Sequence, residues 1–385
     1  MRTIFLDHCS STPVASSARA AMLDYIDHCC GHPAGEHWHS RVACEAIEDA
    51  KSAVAQLLQC HPSEVVFTSG GTEAIHLALL GSARVIPPER RPCHLIATRI
   101  DHDAVLDCVA QLEQEGWRTT LLDCHSDGTF SVEHLQRALD SQTRLVSLPY
   151  LNPRTGAVQP IEEAAALCQR HDVRLHVDAC LAVGRLPISL SQTDIDLLSI
   201  SGHKMHGLPG AGALFIRTGT QLAPLMPSRV GTLRSGMPSI PAIVALGAAA
   251  HLAASGIEVA MEYARELRHA FLAHLHQAAG FEPVVHTGSG ENWPGIISLE
   301  QPGVDTLTLR RDLAHLCLGP PALFRDQVDD HTVHCVVDRI YAAMGWDARR
   351  AAQTLQLAVG WQTQQEDVQH AAAAIGEQAR RLRGE

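Results

Sequence analysis

Four short stretches carry side chains that could do chemistry together. In SISGHKMHGLPG (199–210) a single lysine, Lys204, follows an apolar run and is ringed by serine, histidine and glycine. An amine attacks a carbonyl only when its proton is removable, which burial and neighbouring positive charge promote. Alone, the stretch also fits an exposed loop lysine. RLHVDA (174–179) ends a buried strand on a carboxylate, Asp178. An acid there needs a partner, unless it caps a following helix. TSGGTEA (68–74) sets Gly70, Gly71 and Thr72 between a strand and a helix. Backbone N–H groups, a hydroxyl and the positive helix end can hold a phosphate there, although glycine turns are also common without a ligand. Ser201 and His203, just before the lysine, can complete the cradle. His102, in IDHDAV, follows another strand; it can stack on a ring and move protons, or be an ordinary loop histidine. One group asks for all of these: pyridoxal 5'-phosphate. Its aldehyde suits the lysine, its pyridine nitrogen the carboxylate, and its phosphate the cradle.

Such side chains must be carried to one edge of a scaffold. SEVVFTSGGTEAIHLALLG (63–81) reads as strand, glycine turn and helix, and HLIATRIDHDAVLDCVAQLEQEG (94–116) repeats the pattern. RLVSLPY (144–150), RLHVDA and DLLSISG (196–202) are further short apolar strands. Helical periodicity marks RVACEAIEDAKSAVAQLLQ (41–59) and IEEAAALCQRHD (161–172). Strands alternating with helices predict an α/β fold with a mostly parallel sheet, which binds ligands at the carboxyl ends of its strands. Beyond about residue 215 the pattern changes. Residues 238–280 predict a long connecting helix. GIISLE, TLTLRRDLAHLCLG and VVDRIYAAMG predict a smaller α+β unit, closed by the helix DVQHAAAAIGEQARRLRGE. The expected division is a large domain over 15–260 and a small domain from 1–14 and 261–385.

Composition narrows the classes. With 385 residues, 46% hydrophobic and 19% charged, the chain can bury a large core in more than one domain. A formal charge of −12 argues against sequence-independent nucleic-acid binding. Twelve scattered cysteines, none in C-x-x-C spacing, do not form a zinc or iron–sulfur ligand set. HPAGEHWH (His32, His37, His39) has no metal-site spacing, so no metal is expected. The N-terminus MRTIFLDHCSSTPV lacks a signal-peptide pattern, and no run of eighteen apolar residues predicts a membrane span. These features lead us to expect a cytoplasmic protein with reduced thiols.

Taken in order, the motifs resemble the class V aminotransferase family of fold type I, and within it the cysteine desulfurases, over most of the chain. FLDHCSSTPV is similar to the family's L-D-x-x-x-T-T-P, and GHPAGEHWHSR to G-N-P-S-S-x-H-x-x-G-R. VVFTSGGTEAIHLAL, DHDAV, RTGAVQPI, HVDACLAVGRLPI and SISGHKMHGLPGAGALFIR follow in the family's order. The resemblance implies that Lys204 carries the cofactor, Asp178 faces its ring nitrogen and His102 stacks on the ring. Gly71, Thr72, Ser201 and His203 would surround its phosphate. It further implies an amino-acid substrate, a homodimer and a sulfur-acceptor protein.

Several positions depart from the family. Its N-N-E-x-G reads NPRTG here, so Pro153 stands where an asparagine would bond the ring oxygen, with Asn152 as the nearby substitute. Leu181 stands where a glutamine would support the same oxygen, and Met237 where RSGM would have a threonine for a neighbouring subunit's phosphate. Gln356 replaces the arginine that would fork onto the substrate carboxylate. Arg154, Arg234, Arg325 and Arg339 are alternative carboxylate binders. The small-domain loop has no cysteine at 318–334. Cys335, in what reads as the start of a helix, is the one nearby thiol, either a nucleophile or a buried structural cysteine. Three functions stay open: cysteine desulfuration; another reaction such as C–S lysis, epimerisation or a biosynthetic step; and a non-catalytic scaffold.

Overall fold

The computed structural model describes residues 2–87, 92–227, 232–288, 290–329 and 332–384; side chains at 325–329 and 332–334 lie outside that description. Strand β1 (Ile4–Leu6) precedes helices α1 (Ser16–His28) and α2 (Trp38–Leu58). There follow β2 (Val65–Thr68), α3 (Gly71–Arg84), β3 (His94–Thr98), α4 (Asp103–Gln114), β4 (Arg118–Leu122), α5 (Val132–Ala138), β5 (Thr143–Pro149), α6 (Ile161–Arg170), β6 (Arg174–Asp178), β7 (Leu197–Ser201) and β8 (Gly212–Ile216). A long helix, α7 (Ile240–Ala279), leads to β9 (Val284–His286), β10 (Ile296–Glu300), α8 (Thr306–Asp312), β11 (Leu316–Leu318) and β12 (Leu323–Asp329). The chain closes with β13 (Thr332–Val337), α9 (Arg339–Ala343), α10 (Ala348–Ala352), β14 (Thr354–Ala358) and α11 (Gln365–Arg383).

The fold is α/β. Seven strands form one sheet in the order β2-β8-β7-β6-β5-β3-β4. From β4 to β7 every neighbouring pair is parallel, while β8 runs antiparallel to both β7 and β2. Helices cover both faces, so β3, β7 and β8 are buried at every residue; this is why they read as unbroken apolar runs rather than alternating ones. Polar side chains inside the sheet are paired. The His176 ring lies between Ser147 Oγ and Ser199 Oγ, 2.9 Å from each, and burial pushes its pKa down to about 4.

A second core joins β1, β10, β14, α11 and the C-terminal half of α7 through Leu6, Phe271, Leu299, Leu357 and Ile375. By length and composition α7 could cross a bilayer. In this fold it serves two interiors instead: Ile243 and Leu246 pack into the first core, and Leu267, Phe271 and Leu275 into the second. A third cluster sits beneath the β12–β13 hairpin, where Tyr341 and Trp346 stack with ring centroids 4.5 Å apart.

Candidate active site

The carboxyl ends of five strands open into one cavity of about 670 Å³. β2 delivers Gly71 and Thr72, β3 His102, β5 Pro153 and Arg154, β6 Asp178, and β7 Ser201, His203 and Lys204. Parallel strands all end on the same side, so residues far apart in sequence arrive together.

Each end is fixed locally. Lys204 ends a single turn of 3-10 helix, Gly202–Lys204. Thr12, from the segment after β1, clamps that turn: its N–H and hydroxyl donate to the His203 carbonyl at 2.8 and 2.9 Å, and its hydroxyl accepts from His206 N–H at 2.8 Å. The Cys180 N–H donates to Asp178 Oδ1 at 3.0 Å and orients the carboxylate. His102 caps α4, its Nδ1 accepting from Ala104 N–H at 3.1 Å. A ring nitrogen that accepts carries no proton, so the neutral ring holds its proton on Nε2. At the start of α3 the first intrahelical bond is Ala74 N–H to the Gly70 carbonyl, leaving the N–H groups of Gly71, Thr72 and Glu73 without a helical partner. Gly71 leaves room for its neighbour: a Cβ there would lie 2.5 Å from Cys180 Sγ. Ser201 Oγ lies 3.0 Å from His203 Nδ1 on the same side.

Charge couples these groups. Burial lowers the His102 pKa; the Asp178 carboxylate opposes that shift, and the Lys204 ammonium adds to it. Burial and then Lys204 lower His203. Beneath His102, Asp101 is fully buried and burial pushes it up to about 7. Thr98 N–H and its hydroxyl both donate to Asp101 Oδ2 at 2.7 Å, whereas Oδ1 has no hydrogen-bond partner.

The opposite wall is assembled from distant segments. Arg154 forks onto Asp338, with Nε 3.0 Å from Oδ1 and Nη2 2.5 Å from Oδ2, and its Nη1 donates to Gln356 Oε1 at 2.9 Å. Burial works against the arginine's charge, but Asp338 holds its pKa above the ordinary value. Gln356 donates in turn to the Pro153 carbonyl. The guanidinium lies over the Tyr341 ring, 5.8 Å from its centroid. Arg339 also faces the cavity, but is tied to the Arg99 and Asp101 carbonyls and to Asp103. Arg234 does not line the cavity; it faces Glu73 at 3.6 Å. The Arg325 side chain lies outside the described residues.

Three residues sit differently from what the sequence predicts. Asn152 does not reach the cavity: it is buried, its amide donating to the Gly128 carbonyl and accepting from Arg154 N–H. Gln356 does not line the cavity either, and touches it through Arg154. Cys335 is neither helical nor buried. It is an exposed residue of β13, with its neighbours Val336 and Val337 on the cavity rim. The helix begins only after Asp338, whose Oδ1 accepts from Ile340 N–H at 3.1 Å. An aspartate ahead of RIYAA is a cap signal that marks this boundary. Two further thiols belong to the site, although nothing in their motifs assigns them to it. Cys9, in LDHCSS, and Cys180, in VDACLA, both line the cavity. Burial pushes Cys9 up to about 11 and Cys180 well above the ordinary thiol value.

Residues 4–369 match the family model for aminotransferase class-V. The chain is 32% identical over 391 residues to a mitochondrial cysteine desulfurase of Eremothecium gossypii, a match spanning 99% of this chain and 77% of that protein. It is 30% identical over 388 residues to the putative cysteine desulfurase IscS 1 of Bacillus subtilis, spanning 99% of this chain and 100% of that one. A solved structure described as a NifS-like protein superposes with a TM-score of 0.87 at 27% identity, covering 97% of this chain and 98% of that chain.

Proposed function

The chain belongs to the aminotransferase class-V family, and from that premise we propose that it is a pyridoxal-phosphate enzyme that cleaves the C–S bond of cysteine. One observation carries this reading: Lys204, Asp178, His102 and the Gly71–Thr72 turn, from four separate strand ends, line a single cavity. The residues fit the cofactor. The first N–H groups of α3, which have no helical partner, sit where the backbone at Gly71 passes close to Cys180, and an amine and a carboxylate face the same space. Lys204 would hold the aldehyde carbon and Asp178 the ring nitrogen. His102 would lie against the ring, and Thr72, Ser201 and His203 would surround the phosphate. Bound there, the cofactor supplies an electron sink for charge left on the substrate carbon. Asp178 supports that role by favouring a protonated ring nitrogen, and the Nε2–H of His102 is available for proton transfer. Pro153 and Leu181 line the cavity and, by the resemblance, would offer the ring oxygen no donor where the family's amides would.

In the desulfurase version of this reaction, the Cys335 thiolate takes the sulfur. The substrate C–S bond breaks, an S–S bond forms on Cys335, the substrate carbon gains a proton, and alanine leaves. Cys335 suits this role because it is exposed and directly precedes Val336 and Val337, which line the cavity, so a sulfur-acceptor protein could collect the persulfide. A second reading, C–S lysis that releases sulfide directly, is favoured by Cys9 and Cys180: the thiols lining the cavity are held protonated by burial. A homodimer and a cytoplasmic setting belong to the same proposal.

The test is reconstitution with pyridoxal phosphate, then incubation with cysteine under reductant. A visible band with alanine and sulfide as products is expected. Lys204→Ala should lose the band and at least about a thousandfold in turnover, roughly 4 kcal/mol of barrier. Cys335→Ser should abolish the protein persulfide seen by mass spectrometry. Sulfide release that survives Cys335→Ser, with pyruvate and ammonia in place of alanine, assigns the lyase reaction; a band with no product from cysteine overturns C–S cleavage.

A further inference from the structure

We infer that Arg154 is the substrate-carboxylate clamp of this enzyme, held in place by Asp338 and Gln356, so that the cavity selects amino acids that keep a free α-carboxylate. The inference rests on the amino-acid reading above, but not on which bond breaks.

A cavity that binds an amino acid beside Lys204 needs a second cation, and the described residues offer two. Arg339 is the more exposed, at 37%, and its two terminal nitrogens hold the β3–α4 connection through the carbonyls of Arg99 and Asp101 and the Asp103 carboxylate. Arg154 is placed differently. It lines the cavity, its side chain is only 12% exposed, and it projects from the loop after β5 beside the proposed cofactor site. A guanidinium has five N–H donors. Among the described residues Arg154 uses three: Nε and one on Nη2 toward Asp338, and one on Nη1 toward Gln356. One N–H remains on each terminal nitrogen, so the edge away from Nε keeps donors for a second anion. Asp338 takes the side-on edge through Nε and Nη2 and fixes the plane, and the N–H left on each terminal nitrogen is what a ligand carboxylate would use.

The support is rigid. Asp338 is itself anchored as the cap of α9. Gln356, in the fully buried strand β14, has its amide oriented by the Pro153 carbonyl, which turns Oε1 toward Arg154. Tyr341 lies against the guanidinium and bonds Ser298 Oγ at 2.9 Å. An arginine fixed from three sides loses little freedom on binding, which favours affinity. The pairing also explains how a neutral amide fits at 356: its oxygen receives an N–H of the arginine, where a second guanidinium would face like charge.

The test compares each amino acid with the same molecule lacking its carboxylate. The reconstituted protein is titrated with L-cysteine against cysteamine, and L-alanine against ethylamine, reading the shift of the visible band, with kcat and KM for any pair that turns over. Wild type should bind each amino acid at least tenfold more tightly than its amine. Arg154→Gln should bring both ratios close to one by weakening the amino acids and leaving the amines unchanged, so that KM moves more than kcat. Arg154→Lys should restore part of the preference. Because Arg154→Gln leaves Asp338 buried without its partner, the neutral double variant Arg154→Gln/Asp338→Asn is measured alongside and should also lose the preference. Amines that bind wild type as well as amino acids, or ratios unchanged in both Arg154→Gln variants, overturn the clamp. Discrimination by the alanine pair, lost on mutation while cysteine yields no product, supports the clamp and refutes C–S cleavage instead.

Discussion

The floor and the far wall of the cavity are built by different rules. On the floor, each candidate residue sits within a few positions of a strand end: Asp178 on the last residue of β6, Lys204 three beyond β7, and His102 four beyond β3. The sheet gathers them; Cys180 steadies Asp178 and Ala104 steadies His102 from two residues away, and the Lys204 turn is also held from afar, by Thr12. The wall has no such order. Arg154 meets Asp338 across a separation of 184 residues and Gln356 across 202. A floor of this kind can keep its chemistry while the wall is rebuilt.

That contrast predicts where truncation hurts the fold most. Asp338→Ala removes the counter-charge of a buried guanidinium and the cap of α9 together. Leaving a buried charge unpaired costs about 3–5 kcal/mol, and losing a cap adds about 1 kcal/mol. Denaturant unfolding should show a loss of several kcal/mol, with Asp338→Asn falling between the variant and wild type. A loss below about 1 kcal/mol would mean that the pair behaves as an exposed one, and the distinction between floor and wall would fail.

The same contrast separates what is legible in the sequence from what is not. Lys204, Asp178, His102 and the Gly71–Thr72 turn are legible because a strand, a turn and a chemically apt side chain are local signals in a fixed order. Cys335 reads as helical because the apolar run HCVVDRIY contains both the end of a strand and the start of a short helix; only the cap at Asp338 divides them. Asn152 is legible as an amide near the site, but its direction is set by the Gly128 carbonyl, which lies 24 residues earlier and carries no pattern that points to it. The Arg154–Asp338–Gln356 arrangement has no local signature. Its members are visible only separately, as an arginine after a strand, an aspartate before a helix and a glutamine in place of an arginine.

A smaller effect should sharpen the description of the floor. Gly71→Ala puts a methyl group 2.5 Å from Cys180 Sγ and 3.4 Å from Ser201 Cβ. Overpacking of that kind costs about 1–3 kcal/mol. Displacement of the turn should lower pyridoxal-phosphate affinity roughly tenfold in a band titration. Adding Cys180→Ala removes the obstructing sulfur and should return most of the affinity. If the double variant binds no better than Gly71→Ala, the turn is constrained by something other than that thiol.

The most gradual effect concerns pH and belongs to Asp101, next to His102 in the chain. Burial, with a further contribution from Asp178, pushes its pKa up to about 7 from an ordinary 3.8, against the two hydrogen bonds from Thr98. Between those values the folded chain keeps a proton that the unfolded chain has released. Stability must then fall as pH rises from about 4 to about 7 and level off above, with a slope on the order of 1 kcal/mol per pH unit at most. Asp101→Asn keeps an acceptor for Thr98 and cannot ionise. Subtracting its unfolding free energy from that of wild type cancels the other titrating groups and leaves this one. In the cofactor-free protein the difference should favour wild type most near pH 4 and decline steadily to pH 7. A flat difference would show that Asp101 ionises as freely as a surface carboxylate, and that its Oδ1, without a partner among the described residues, is reached by solvent.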